Sequence, residues 1–126
     1  MRDSGVSLLI TVDCGVGSVE EVEFASTLGL ETIITDHHSF SNSMPAAAAV
    51  VNPKREDSRY PFDGLTGTGL SFKLVEALFQ RIGQPPPYHL ADLAALGTIA
   101  DVGPLTGENR FLVKRGLEQI NKTQHI

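Results

Sequence analysis

The feature that most constrains the fold is a pair of short apolar runs, each of which ends at an aspartate. The first run, "LLITV" at 8–12, is continuous and rich in β-branched residues, and it stops at Asp13. The second run, "TIIT" at 32–35, stops at Asp36, which two histidines follow. Runs of this length and composition predict strands that are buried on both faces, as in a parallel sheet.

The segment between the two runs predicts a helix. Ser18, followed three residues later by Glu21, forms a capping-box pattern for a helix start, and Gly29 suits the helix end. Strand, helix and strand together make a βαβ unit, whose crossover is normally right-handed. The stretch "AAAVVNP" at 47–53 predicts a third short strand, stopped by its proline.

The second half of the chain predicts helices. A polar, turn-rich loop at 54–64 precedes a helix within 65–83, and a further helix is expected to end near Leu96, before a turn that carries Asp101. The last helix is expected within 106–120. The apolar row of the first of these helices comprises Leu70, Leu74 and Leu78, thickened by Phe72, Val75, Phe79 and Ile82. The predicted fold class is therefore α/β, a parallel sheet with flanking helices of the three-layer α/β/α type.

The composition excludes several classes of function. The chain has 126 residues and a formal net charge of −5, so its overall charge does not favour indiscriminate binding to DNA. Its single cysteine, Cys14, excludes an intramolecular disulfide and a cysteine zinc cluster, and it fits the cytoplasmic location that we predict. No apolar run is long enough to span a bilayer, so no membrane association is expected.

Acidic and imidazole side chains follow the two predicted strands. Ligands of parallel sheets bind beyond the carboxyl ends of the strands, which is where Asp13 and Asp36-His37-His38 lie. Carboxylate and imidazole ligands without thiolate suit Mn²⁺, Mg²⁺, Co²⁺ or Zn²⁺, and Asp101 is a further candidate. A lone aspartate after a strand is more often a turn residue, and paired histidines are more often hydrogen-bonded than metal-bound. The pattern alone therefore leaves metal binding a hypothesis.

Three motifs of the chain, "VDCG", "TDHH" and "ALGTIADVGPLTGENR", stand in an order that resembles the DHH phosphoesterase superfamily. Together with the connector "VVNPKRED…YPFDGLTGTGLSFKL", they resemble most the RecJ family of bacterial single-stranded-DNA exonucleases within it. The resemblance implies a nuclease of DNA repair and recombination that hydrolyses phosphodiester bonds of single-stranded DNA with Mn²⁺ or Mg²⁺.

The resemblance also implies a role for each site residue. Asp13 would bridge two metal ions, and His37 and Asp101 would complete the ligand shell of one of them. His38 would be catalytic, contacting the scissile phosphate or a water bound to the metal. Asp36 would also be a catalytic-site residue. It would orient the histidines as a carboxylate that does not itself bind the metal.

The chain departs from the family pattern at both ends. Nothing before Asp13 matches the family's aspartate-rich first motif, and nothing resembles its C-terminal domain with a glycine-rich substrate loop. We therefore expect residues 1–126 to be a partial DHH domain with one metal site incomplete and little activity by itself. The alternatives are another DHH-family phosphodiesterase, acting on short RNA or cyclic dinucleotides, and a non-catalytic truncated domain.

Without a neighbour from the first motif, the strand at 8–12 would form an exposed edge through which the chain self-associates.

Overall fold

The computed structural model describes residues 4–40 and 43–122 and divides the chain into two compact units, Met1–Tyr60 and Pro61–Ile126. Among the described residues, no helix is both long and apolar enough to cross a membrane. Parallel strands in the first unit and helices in both units confirm the α/β class, a parallel sheet with flanking helices. The three-layer arrangement concerns both units together and stays a prediction.

The first unit is a parallel sheet with one crossover helix. Strand β1 (Leu8–Val12), helix α1 (Val19–Thr27), strand β2 (Glu31–Thr35) and strand β3 (Ala49–Val51) follow one another along the chain. The strands lie in the order β1-β2-β3, and both pairs are parallel. Because β1 and β2 are neighbours joined through α1, the predicted βαβ unit is confirmed.

Helix α1 begins and ends close to the predicted residues. Ser18 is the N-cap, but its side chain makes no capping hydrogen bond in the described structure, so the capping-box prediction is wrong in this detail. Gly29 follows the C-cap with φ +73°, and its N–H donates to the carbonyl oxygen of Ser26 at 2.8 Å. A positive φ after the last helical turn favours glycine, as the sequence predicted.

The two faces of β1 differ in burial. The small core of the unit contains Val16, Val22 and Ile34, with Phe40, Ala47 and Val50 packed against it. In the parallel register, Thr11 of β1 lies beside Ile34 of β2, so this face of β1 points towards α1. The opposite face presents Leu8, Ile10 and Val12, which are 43%, 50% and 52% exposed. The prediction that 8–12 is buried on both faces is wrong, because the face with Leu8, Ile10 and Val12 is left uncovered by the described residues.

The second unit is helical. It contains α2 (Gly67–Arg81), α3 (Ala91–Ala100), preceded by a 3₁₀ turn at Tyr88–Leu90, and α4 (Gly107–Gln119), followed by a 3₁₀ turn at Ile120–Lys122. Two residues of the predicted apolar row do not face a core. They are Leu78 and Ile82, near the end of α2, which are exposed.

Helix α3 extends four residues beyond the predicted end at Leu96. Gly97 lies against α2, where an added Cβ would meet the Oγ1 atom of Thr68 at 2.3 Å. The glycine therefore permits close helix packing and does not end the helix. Asp101 is the C-cap of α3 and lies in the turn that follows the helix, so the prediction of a turn at Asp101 is confirmed.

Candidate metal centre

Each strand of the sheet is followed by a polar residue at its carboxyl end. Asp13 follows β1, Asp36 follows β2, and Asn52 follows β3. Backbone hydrogen bonds continue the sheet into these positions. The N–H of Asp13 donates to the carbonyl oxygen of Thr35 at 2.9 Å, and the N–H of Asp36 donates to that of Val51 at 3.1 Å. The three side chains therefore start from the same end of the sheet, at the carboxyl ends of its strands.

The turn after β1 directs the chain back to the end of β2. Asp13 has φ +63°, a left-handed conformation that aspartate tolerates better than most residues, and Gly15 has φ +115°. A Cβ at Gly15 would lie 2.8 Å from Oγ1 of Thr11, so the turn requires glycine there. After this turn the N–H of Val16 donates to Oδ2 of Asp36 at 3.0 Å.

Asp36 is the buried centre of the cluster, with its side chain 1% exposed. Its Oδ1 accepts hydrogen bonds from the N–H groups of His37 at 2.8 Å and His38 at 3.1 Å. The same oxygen lies 2.7 Å from Nδ1 of His38. Burial raises the pKa of Asp36, but the hydrogen bonds from Val16 and His38 and the His38 charge outweigh it, so that the pKa lies below its ordinary value.

The two histidines present different nitrogens to the surroundings. Nε2 of His37, whose side chain is 13% exposed, lies 3.0 Å from Oδ1 of Asp13. The His38 side chain is 60% exposed, and its ring centroid lies 4.5 Å from that of His37. Because Nδ1 of His38 faces Asp36, Nε2 is the ring nitrogen that His38 offers to a ligand.

Asp13, His37 and His38 fit a divalent transition-metal ion. One ligand atom from each residue can be chosen so that all three lie within 4.8 Å of one another. Two adjacent ligands of an octahedral ion at about 2.1 Å are separated by about 3 Å. The separation of 3.0 Å between Asp13 Oδ1 and His37 Nε2 agrees with that geometry. The mixture of carboxylate oxygen and imidazole nitrogen suits Mn²⁺ and its neighbours in the first transition row.

The structure brings four of the five predicted site residues together. Asp13, His37 and His38 form the cluster, and Asp36 lies behind the histidines. Asp101 belongs to the second unit, where its N–H donates to the carbonyl oxygen of Gly97 at 2.9 Å. Its participation in the same metal site stays a prediction.

The sequence reasoning missed Asn52. This residue is 4% exposed, and its Nδ2 donates to the carbonyl oxygen of His38 at 2.9 Å. Its position directly after the third predicted strand was the available signal, because the other two strands also end at functional candidates.

Comparisons with known proteins identify relatives of the chain. A family model described as the DHH family, N-terminal domain, matches residues 2–98. The single-stranded-DNA-specific exonuclease RecJ of Bacillus subtilis is 44% identical over 126 residues, which are 100% of this chain and 16% of that protein. The protein of the same description from Escherichia coli is 42% identical over 127 residues, covering 92% of this chain and 22% of that protein.

Solved structures that resemble this chain are also of RecJ exonucleases. The crystal structure of RecJ from Thermus thermophilus in complex with Mn²⁺ has a TM-score of 0.83 and 44% identity, and the match covers 94% of this chain and 18% of that one. A crystal structure of exonuclease RecJ bound to manganese has a TM-score of 0.84 and 44% identity, covering 93% of this chain and 30% of that one. The chain thus spans less than a third of the length of each of these proteins.

Proposed function

Because the chain belongs to the DHH family, we propose that it supplies part of the active site of a metal-dependent exonuclease that degrades single-stranded DNA. The observation that carries this proposal is the cluster of Asp13, His37 and His38 at the carboxyl edge of a parallel sheet. The relatives described above support the substrate class, since both are single-stranded-DNA-specific exonucleases. They favour single-stranded DNA over short RNA or cyclic dinucleotides. That residues 1–126 are one part of a longer enzyme stays a prediction.

Asp13 and His37 would hold a divalent cation, for which we propose Mn²⁺ or Mg²⁺, and Asp101 would add a ligand. Solved structures of RecJ in complex with Mn²⁺ and with Mg²⁺ support this choice of ion. When bound, such cations lower the pKa of a water that attacks the phosphodiester and offset the negative charge that develops.

The protein groups themselves position the substrate and hold a proton. Asp36 accepts a hydrogen bond from His38 and so keeps the proton of that imidazole on Nδ1. Nε2 of His38 then faces the solvent side, where it accepts a hydrogen bond or, when protonated, donates one to a phosphate oxygen. His38 is the catalytic residue of this proposal, and Asp36 acts through it as a positioning residue.

The proposal can be tested by exchanging this chain for the matching segment of the Bacillus subtilis exonuclease, to which it aligns over its whole length. We expect the purified chimaera to degrade labelled single-stranded DNA in the presence of Mn²⁺ and to leave duplex DNA intact. Asp13→Asn and His38→Ala in the chimaera should each abolish degradation. A chimaera that folds by circular dichroism but does not degrade single-stranded DNA would contradict the proposed function and support the non-catalytic alternative.

We further propose that the chain self-associates through β1. Among the described residues, β1 pairs only with β2, so its other edge offers unpaired backbone groups. Leu8, Ile10 and Val12 add an exposed apolar face beside that edge. Edges of this kind are templates for strand pairing, and a second copy of the chain offers the same edge.

A cytoplasmic location stays a prediction that rests on the single cysteine.

A further inference from the structure

Asn52 makes two hydrogen bonds although its side chain is buried. Nδ2 donates to the carbonyl oxygen of His38 at 2.9 Å, and Oδ1 accepts from the N–H of Lys54 at 2.8 Å. Burying an amide without partners is unfavourable, so the two bonds explain how this residue is accommodated. They also join the end of β3 to the histidine pair, which lies 14 residues earlier in the chain.

His38 is thereby fixed at three points. Its N–H and its Nδ1 both face Oδ1 of Asp36, and its carbonyl oxygen accepts from Asn52. Both anchoring groups are buried, whereas the ring that they hold is 60% exposed. Because most of this ring is exposed, packing of the ring adds little to the effect of the anchors. What they determine is the direction in which Nε2 points.

We propose that Asn52 is a positioning residue that holds His38 in the orientation required at the metal centre. Asp36 contacts only the N–H and the ring of His38. These contacts alone leave the peptide that follows His38 free to rotate. The bond from Asn52 restrains the carbonyl side. The inference rests on the proposed function, since it assigns a role at the same site.

The experiment compares Asn52→Asp with the wild-type chain. The substitution keeps the oxygen that accepts from Lys54 but replaces the donor to His38 with a second oxygen, which repels the carbonyl. Thr32→Ala is the matched control. Thr32 is also buried in the sheet, but it lies near the start of β2, at the end of the strand away from the histidines. Calorimetric titration with Mn²⁺ gives Kd, and thermal unfolding gives the loss of stability for each variant.

A spectroscopic measurement separates positioning from stability. Substoichiometric Mn²⁺ broadens the Cε1–H resonances of nearby histidines in an NMR spectrum, and His37→Gln and His38→Gln variants assign those resonances. We expect Asn52→Asp to reduce the broadening of His38 relative to His37, because the His38 ring loses its orientation towards the metal centre. Kd should change little, because Asp13 and His37 are the proposed ligands. Thr32→Ala should leave both quantities unchanged.

Two results would overturn the inference. Equal His38 broadening in Asn52→Asp and wild type would overturn it alone, leaving the proposed function intact. Failure of the wild-type chain to bind Mn²⁺ would overturn the proposed function together with it. If Asn52→Asp does not fold, Asn52→Ala provides the same comparison, since it removes the donor without placing an oxygen against the carbonyl.

Discussion

Nδ1 of His38 lies 2.7 Å from Oδ1 of Asp36, and this contact joins an exposed ring to a fully buried carboxylate. The carboxylate also accepts from three backbone N–H groups, those of Val16, His37 and His38. One buried side chain therefore organises the turn after β1, the turn after β2 and the ring of the proposed catalytic histidine. Stability and metal binding should both depend on it.

Asp36→Asn should lower the free energy of unfolding by about 1–3 kcal/mol. Asparagine keeps one acceptor oxygen, and its NH₂ group must face N–H donors that Asp36 now satisfies. Urea unfolding followed by circular dichroism measures the change. Glu23→Gln is the control, because Glu23 is an exposed carboxylate on α1, and it should change stability by no more than about 0.5 kcal/mol. Equal stability of Asp36→Asn and wild type would contradict the central role of this carboxylate.

Asp13→Asn should weaken Mn²⁺ binding about tenfold or more while leaving the fold intact. Asparagine also tolerates the left-handed conformation of Asp13, at φ +63°, so only the ligand charge is lost. Calorimetry on the wild-type chain should give a stoichiometry near one, and Glu23→Gln should bind like wild type. An unchanged Kd in Asp13→Asn would remove Asp13 from the metal centre.

Two threonines of β2 should respond in opposite ways to valine. Both Thr32 and Thr35 are buried, but Oγ1 of Thr35 donates to the carbonyl oxygen of Thr11 at 2.7 Å, whereas Oγ1 of Thr32 has no partner among the described residues. Thr32→Val should be neutral or stabilising by about 1 kcal/mol, and Thr35→Val should destabilise by about 1 kcal/mol. Chemical denaturation of the pair decides, and the reverse ranking would show that the hydrogen bond does not control the effect.

Val102→Gly should stabilise the end of α3. Val102 has φ +54°, and the helix closes through hydrogen bonds from its N–H to Ile99 at 3.1 Å and from the N–H of Gly103 to Thr98 at 2.9 Å. A β-branched residue in this conformation costs about 1–2 kcal/mol, part of which the greater flexibility of unfolded glycine cancels. We expect a net gain of about 0.5–1 kcal/mol by thermal unfolding. Val102→Ala, which keeps a Cβ, should recover less, and a loss of stability in Val102→Gly would refute the strain.

The strands and most site residues could be predicted because their signals are local. The run at 8–12 needs only its β-branched composition, and Asp36-His37-His38 needs only its place after the second run. The end of α3 could not be read locally, because Gly97 is accommodated by Thr68, a residue far away in the sequence. Asn52 was missed for the same reason, since its partner His38 becomes its neighbour only once β3 pairs with β2.

The burial of β1 depends on which elements pack on each of its faces, and that information is not contained in the run itself. The same apolar composition that predicts a buried strand gives an exposed apolar surface where a face is left uncovered. Leu8, Ile10 and Val12 form such a surface in the described sheet.

Ile10→Lys should therefore reduce self-association of the chain. Ile10 is 50% exposed on the face of β1 that points away from α1, so a lysine can extend into solvent there while its charge opposes pairing of two copies. Sedimentation velocity at increasing concentration should show a rising average mass for wild type and a smaller rise for Ile10→Lys. Ile82→Lys places the same charge on an exposed apolar residue of the second unit and should behave like wild type, with circular dichroism confirming that both variants fold. A wild-type chain that stays monomeric at every concentration, or an equal effect of the two lysines, would rule out β1 as the contact.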